Sequence, residues 1–176
     1  MDSLHVDELP EPSSLSAYDS GVADAWQRAR PELDTSPMDV FGRLRHLHAL
    51  HDLAMEKAYE GAPLSPAETE VLVLLRHARQ PRVAGQLARQ RGCSRAAISR
   101  IVIKLDQRGL ITRDPNPADR RAALIRITPD GAALVDAVFP GQLSLEAELL
   151  AGLDPQRRQA VVEALDLLIR TLAAGR

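Results

Sequence analysis

A single cysteine, Cys93, denies this chain both an intrachain disulfide framework and a cysteine-rich zinc site. Aromatic residues make up only 3% of the sequence, so a core has to be assembled from Leu, Val, Ile and Ala. That supply favours closely packed helices over a β-sandwich. No apolar run approaches the roughly 18 residues a membrane span requires. The opening stretch, Met1 to Pro12, is acidic and proline-bearing and lacks the basic-then-apolar order of a secretion signal. These absences read as a cytoplasmic chain with no membrane partner. Signatures of catalysis are missing too: no Gly-rich phosphate loop, no nucleophile elbow and no His-Glu-x-x-His. An enzyme is therefore not expected, nor a resident cofactor or metal.

What the chain does have is an uneven distribution of charge. Its 176 residues suit one compact unit, or a small domain plus an oligomerisation element, and carry a net charge of −2. From Arg76 to Arg126, however, thirteen Lys and Arg stand against three acids, Asp106, Asp114 and Asp119, for a local charge of +10; the remainder carries −12. A chain polarised in this way presents a positive field on one part while staying acidic overall.

Helix starts are clearly punctuated. Ser36-Pro37, Ser65-Pro66, Thr128-Pro129 and Asp154-Pro155 each put a capping side chain before a proline at the first helical position, where a missing N–H costs nothing. Glu68 completes a capping box with Ser65, and Asp39 supplies a first-turn acid after Ser36. The spacing predicts helices over Tyr18–Arg30, Pro37–Tyr59, Pro66–Ala78, Arg82–Arg91, Ser94–Arg108, Pro129–Leu150 and Pro155–Ala174. The second carries Val40, Leu44, Leu47 and Ala54; the last carries Val161, Ala164, Leu165, Leu168 and Leu172 as one apolar stripe. Between Leu110 and Ile127 the period changes to alternation around a Pro-Asn-Pro turn, which predicts a β-hairpin.

Arg82 to Leu105 meets the packing demands of a helix-turn-helix. Ala88 is small where two helices cross closely, and Gly92 suits a tight turn needing positive φ. Ser94 is a natural cap for the second helix, and Ile98, Ile101 and Leu105 supply its buried stripe, facing Leu87. The other face holds Arg95, Ala97, Ser99, Arg100 and Lys104. Arg pairs bidentately with guanine, Ser bonds to any base and Ala packs on a thymine methyl group. Lys104 and Arg108, further along, are placed for phosphates. The hairpin tip, Asn116 to Ala122, exposes Arg120 and Arg121, which suit a narrow minor groove, with Asp119 bracing an arginine. The expected DNA-contacting set is thus Ser94, Arg95, Ala97, Ser99, Arg100, Lys104, Arg120 and Arg121.

These motifs resemble the MarR family of bacterial transcription regulators. The resemblance rests on Gly109-Leu110-Ile111, on Asp119-Arg120-Arg121 followed at the family's spacing by Ile127-Thr128-Pro129-Asp130-Gly131, and on Ser65-Pro66 to Leu75. It covers about Pro37 to the C-terminus. It implies a mainly α winged helix-turn-helix with a small β-hairpin wing and interlocking N- and C-terminal helices, working as a repressor until a small molecule or oxidant loosens DNA binding. Dimerisation is also expected from the residues, because Ala132–Leu150 and Ala160–Leu172 carry more apolar surface than a small lobe can cover. The expected division is a disordered acidic stretch over 1–13, dimerisation helices over 14–60, the winged helix-turn-helix over 61–128 and C-terminal dimerisation helices over 129–176.

Trp26, followed by Arg-Pro-Glu-Leu-Asp, is similar to the branch of the family that responds to urate and related anions. That resemblance implies a ligand set of Trp26, Glu70 at the acid position and Arg113 before the wing. The branch's other arginine position falls on Ile101, so a urate-like anion would lose one of its two cationic partners. Trp26 reads equally as a packing anchor. His46, His48 and His51 near Asp52 admit a metal-sensing reading, and Cys93 beside Arg91 and Arg95 a redox one, against ordinary roles as surface histidines and a small turn residue. A winged-helix module that binds protein instead of DNA is the remaining alternative.

Overall fold

The computed structural model describes residues 12–175, with side chains from residue 21 onward; the expected disordered stretch lies almost wholly outside them. Seven helices and one two-stranded sheet follow in the order α1 (Pro12–Ala29), α2 (Ser36–Ala58), α3 (Pro66–Arg76), α4 (Ala84–Arg91), α5 (Arg95–Gln107), β1 (Ile111–Asp114), β2 (Leu124–Ile127), α6 (Pro129–Leu149) and α7 (Pro155–Ala174). The chain divides into two units at Lys57/Ala58. The fold is mainly α with a small hairpin, as the sequence predicts.

Most boundaries fall where local hydrogen bonding dictates. Ser65 Oγ accepts the Glu68 N–H at 3.3 Å while Glu68 Oε2 accepts the Ser65 N–H at 2.8 Å, closing the capping box that starts α3. Thr128 and Asp154 cap α6 and α7 through the Gly131 and Arg157 N–H groups. Three starts differ from expectation, those of α1, α2 and α4. α1 begins at Pro12, earlier than Tyr18, as a proline in the first turn permits. At α2, Ser36 is already helical, and Asp34 takes the capping part: its Oδ1 accepts the Ser36 N–H at 3.0 Å. Hydrogen bonds from the Ser36 side chain and backbone hold the Asp34 carboxyl below its usual value.

Arg82, expected to open α4, lies instead in extended chain. Its N–H donates to the Ile125 carbonyl at 3.0 Å and its carbonyl accepts the Ile125 N–H at 2.7 Å, adding one bridge to the hairpin. Extended Val83, β-branched and with φ −100° and ψ 153°, delays the helix to Ala84. The hairpin pairs antiparallel, Ile111 with Ile127 through Asp114 with Leu124.

The core of the Ala58–Arg176 unit gathers Leu64, Val71, Leu72 and Leu75 with Leu87, Ile98, Val102, Leu105, Leu110, Ile111, Ile125 and Val135. The buried stripe of α5 is Ile98–Val102–Leu105; Ile101, expected within it, packs only at its margin. Gly92 adopts φ 64° and stops α4, where a side chain would be strained. Gly131 is required for another reason: a Cβ there would stand 2.0 Å from the Leu110 carbonyl oxygen.

α7 buries no residue, and the expected stripe positions Val161, Leu165 and Leu172 are exposed. Val40 and Leu47 of α2 are likewise exposed. No helix among the described residues is long and apolar enough to cross a membrane.

Candidate nucleic-acid interface

α4 and α5 cross at Leu87 and Ala88 and turn through Gly92, which fixes the outward face of α5. Ser94, Arg95, Ser99, Arg100 and Lys104 are exposed, and Ala97 is half-buried. Ser94 has a structural duty, because its Oγ accepts the Ala97 N–H at 3.1 Å. Arg95 folds back over α4: its Nε lies 3.3 Å from where a Cβ on Gly85 would stand. Ser99, Arg100 and Lys104 remain, and among the described residues neither Arg100 nor Lys104 has an ion-pair partner.

Beyond α5 the hairpin carries exposed Arg120 and Arg121 at its tip. Asp119 braces this tip, though through the backbone and not through a guanidinium: its Oδ1 accepts the Arg121 N–H at 3.0 Å. Between α4, α5 and the hairpin lies a cleft of about 320 Å³ whose charged lining is Arg89, Arg95, Arg113, Arg121 and Asp119. Four guanidinium groups against one carboxylate make it an anion-attracting groove beside the outward face of α5. Arg89 was not among the expected residues. Its signal was available, since Gly85 and Arg89 stand four apart on one helical face.

Arg108, expected to meet phosphate, is spent within the protein. Its guanidinium donates to the Pro63 carbonyl at 2.5 Å and to Glu68 Oε1 at 3.4 Å. No sequence signal marks this, because the partners stand 45 and 40 residues away.

Glu70 and Arg113, expected to share one ligand, are placed separately. Glu70 accepts a hydrogen bond from Arg91 Nε and lines a second cleft of about 330 Å³ with Val73, Leu74, Gln90, Phe139 and Gln142. Arg113 lies in the wing cleft, 3.7 Å from Asp106 Oδ2. The two thus line different clefts. Trp26 is 51% exposed.

Of the histidines, His48 Nε2 stands 3.3 Å and His51 Nδ1 3.9 Å from Asp52, and the His46 Nε2 is buried with no hydrogen-bond partner among the described residues. Among the described residues no three His, Cys, Asp or Glu gather closely enough to hold a metal ion. Cys93 is half-buried, and its N–H donates to the Ala88 carbonyl at 3.0 Å in the turn between α4 and α5.

This arrangement can be set beside known proteins. The model of the MarR family matches residues 64–123, from the lead into α3 to the end of the hairpin tip. That stretch of the chain resembles the MarR family. Its relatives are transcription regulators and not enzymes. The regulator PecS of Dickeya dadantii is 29% identical over 134 residues, 75% of this chain and 81% of that protein. The repressor NicR of Pseudomonas putida is 28% identical over 141 residues, 78% of this chain and 89% of that one. Among solved structures, BpsR of Bordetella bronchiseptica, whose DNA binding is regulated by 6-hydroxynicotinic acid, is 27% identical with a TM-score of 0.67, covering 74% of this chain and 98% of its own. The matched stretch runs from α3 to the hairpin tip, and the fold is a winged helix-turn-helix, with α4–α5 as the helix-turn-helix and β1–β2 as the wing.

Proposed function

We propose that this chain is a cytoplasmic, homodimeric repressor of the MarR type that binds a pseudopalindromic operator and releases it when a small anionic or aromatic effector binds. The observation that carries this reading is the exposed row Ser99, Arg100 and Lys104 on α5, flanked by the arginine-lined wing cleft. A two-fold dimer sets its recognition helices about one DNA turn apart, roughly 34–36 Å, which is why the operator should be palindromic. Residues 61–128 form the DNA-binding part in this reading, with 14–60 and 129–176 forming the dimer. Ser94, Arg95, Ala97, Ser99, Arg100, Lys104, Arg120 and Arg121 are the DNA-facing set, to which the wing cleft adds Arg89. Trp26, Glu70 and Arg113 are kept as effector-responsive positions, Glu70 and Arg113 serving different clefts. A ring-bearing acid such as the one that regulates BpsR is the effector class this favours.

Fluorescence anisotropy on labelled duplexes tests the reading. The intergenic DNA beside the chain's own gene should bind much more tightly than scrambled duplex, and log affinity should fall steeply and linearly with log salt. Equal affinity for both duplexes at every salt concentration would overturn it. A retained dimer with no salt-dependent duplex binding would point to a protein-docking module instead.

A further inference from the structure

Large apolar side chains that face solvent gather, in this chain, on α1, α2, α6, α7 and the turns beside them. One residue stands apart from that pattern. Between the end of α2 and Leu143, Ile103 on α5 is the only exposed large apolar side chain among the described residues, at 45% exposure. An exposed helix position gains nothing locally from a β-branched residue, which is a weaker helix former than Lys, Arg or Glu. Nor does the core use Ile103, since Ile98, Val102 and Leu105 form the buried stripe of α5.

Its surroundings are cationic. Ile103 lines the wing cleft together with Ser99, one turn before it on the same ridge of α5, and that cleft carries Arg89, Arg95, Arg113 and Arg121. Among the described residues Arg89, Arg95 and Arg121 have no ion-pair partner, while Arg113 stands 3.7 Å from Asp106. On the adjoining ridge, exposed Arg100 and Lys104 add two more cations. A surface that reaches Ile103 therefore has to be polyanionic and still present something apolar. Duplex DNA meets both demands. Phosphates flank the major groove, and within it the thymine C5-methyl is the one apolar group on a base edge.

We infer that Ile103 packs on a thymine methyl group in the major groove, which makes it a specificity-determining residue of the DNA-facing surface. The inference rests on the operator-binding half of the proposed function and adds base identity to it. Ser99 can bond to any base and so selects none, whereas Arg100 prefers guanine. Ile103 supplies a preference for thymine that hydrogen bonding by its neighbours does not. It stands about 6 Å beyond Ser99 along the helix, or about two base-pair steps, so its thymine belongs to the same half-site. A β-branched side chain on a helix keeps almost wholly to one χ1 rotamer. The apolar branch is thus in place before DNA arrives, and little entropy is lost on contact.

Replacing a thymine by deoxyuridine removes the C5-methyl group and leaves every base-pairing group in place. Anisotropy on the intergenic duplex, with each thymine replaced in turn, compares the unaltered protein with Ile103→Ala. At one position in each half-site, uracil should weaken the unaltered protein about fourfold, the worth of one buried methyl group. Ile103→Ala should bind the thymine duplex several-fold more weakly and be indifferent to uracil at that position, a coupling that a double-mutant cycle isolates. A methyl group sensed by another residue, or through the stiffness of the duplex, affects both proteins alike. Because Ile103 is exposed, alanine leaves the protomer's own packing intact, and thermal melts check this. Ile103→Val, which keeps the β-branch and loses one methyl group, should retain part of the uracil effect. Identical uracil profiles for the unaltered protein and Ile103→Ala overturn the inference while operator binding stands. Unchanged affinity of Ile103→Ala for every duplex overturns it too, and points to a protein on this face. If neither protein prefers the intergenic duplex to a scrambled one, the operator reading fails with it.

Discussion

Arg100 and Lys104 differ in what each can tell a DNA duplex. Arg100 lies nearer the N-terminal end of α5, the part of a recognition helix that meets base edges. Arg100→Ala should therefore cost about 1–3 kcal/mol on the preferred duplex and little on a scrambled one, flattening the preference. Lys104 lies one turn further on, so Lys104→Ala should weaken every duplex similarly and reduce the salt slope by about one. Competition anisotropy over a set of single-base operator variants reads both outcomes. Gly131 gives a residue-scale prediction about stability. A methyl group there meets the Leu110 carbonyl oxygen at 2.0 Å, and helix α6 must move away from the start of the hairpin to admit it. Gly131→Ala should cost about 1–3 kcal/mol or more, read as a lowered urea midpoint with little change in slope. The glycine is plain in the sequence as part of the Ile127–Gly131 motif. The carbonyl that demands it is 21 positions back and belongs to the tertiary structure.

Among the elements, α3 is where the ion pairs converge. Glu68 reaches Arg108 after α5, Glu70 reaches Arg91 of α4, and Arg76 reaches Asp136 of α6. The last is bidentate, with Arg76 Nε 2.9 Å and Nη2 2.8 Å from the two carboxylate oxygens. These hydrogen bonds hold the Asp136 carboxyl below its ordinary value of 3.8 and push Arg76 up. A depressed carboxylate stabilises the fold above its unfolded value and loses that contribution as the pH falls through its folded one. Melting curves of the unaltered protein and Asp136→Asn should therefore differ modestly at neutral pH, as befits an exposed pair, and converge as the pH drops below about 3.8. A gap that persists in strong acid would show that the asparagine acts through packing. Periodicity and capping made α3 visible as a helix, down to its capping box. They were silent on its three partners, because a heptad-scale pattern holds no information about chain segments brought together by folding.

At the scale of the whole molecule, an exposed apolar row on α7 offers the test of the proposed dimer. Val162, Leu165, Ile169 and Leu172 are all exposed and follow at spacings of three, four and three along α7, the seam by which helices pair. With Ile169 63% exposed in the single chain, a charge there leaves the protomer's own packing untouched. In the proposed dimer the same charge is buried and unpaired. Ile169→Glu should accordingly melt as a folded protein yet sediment as a monomer, and lose most of its operator affinity because its two half-sites no longer bind together. A dimer that survives this substitution would place the interface elsewhere.

The winged helix was legible because its determinants are local. Ser65 and Glu68 stand three apart, Gly92 terminates its own helix, and the alternation from Ala123 to Ile127 is itself the strand; such hydrogen bonds and dihedral limits are written into neighbouring residues. Even the errors were local in kind, as when extended Val83 drew Arg82 onto the sheet beside Ile125. The basic stretch from Arg76 to Arg126, by contrast, identified thirteen cations without sorting them. Folding spends Arg76 on Asp136, Arg91 on Glu70 and Arg108 on Glu68, partners 60, 21 and 40 residues distant, and leaves Arg100 and Lys104 without an ion pair among the described residues. Sequence alone determined that this protein carries a charged helix-turn-helix and a wing. Tertiary structure decided which charges face outward, because an ion pair depends on distances that only the folded chain sets.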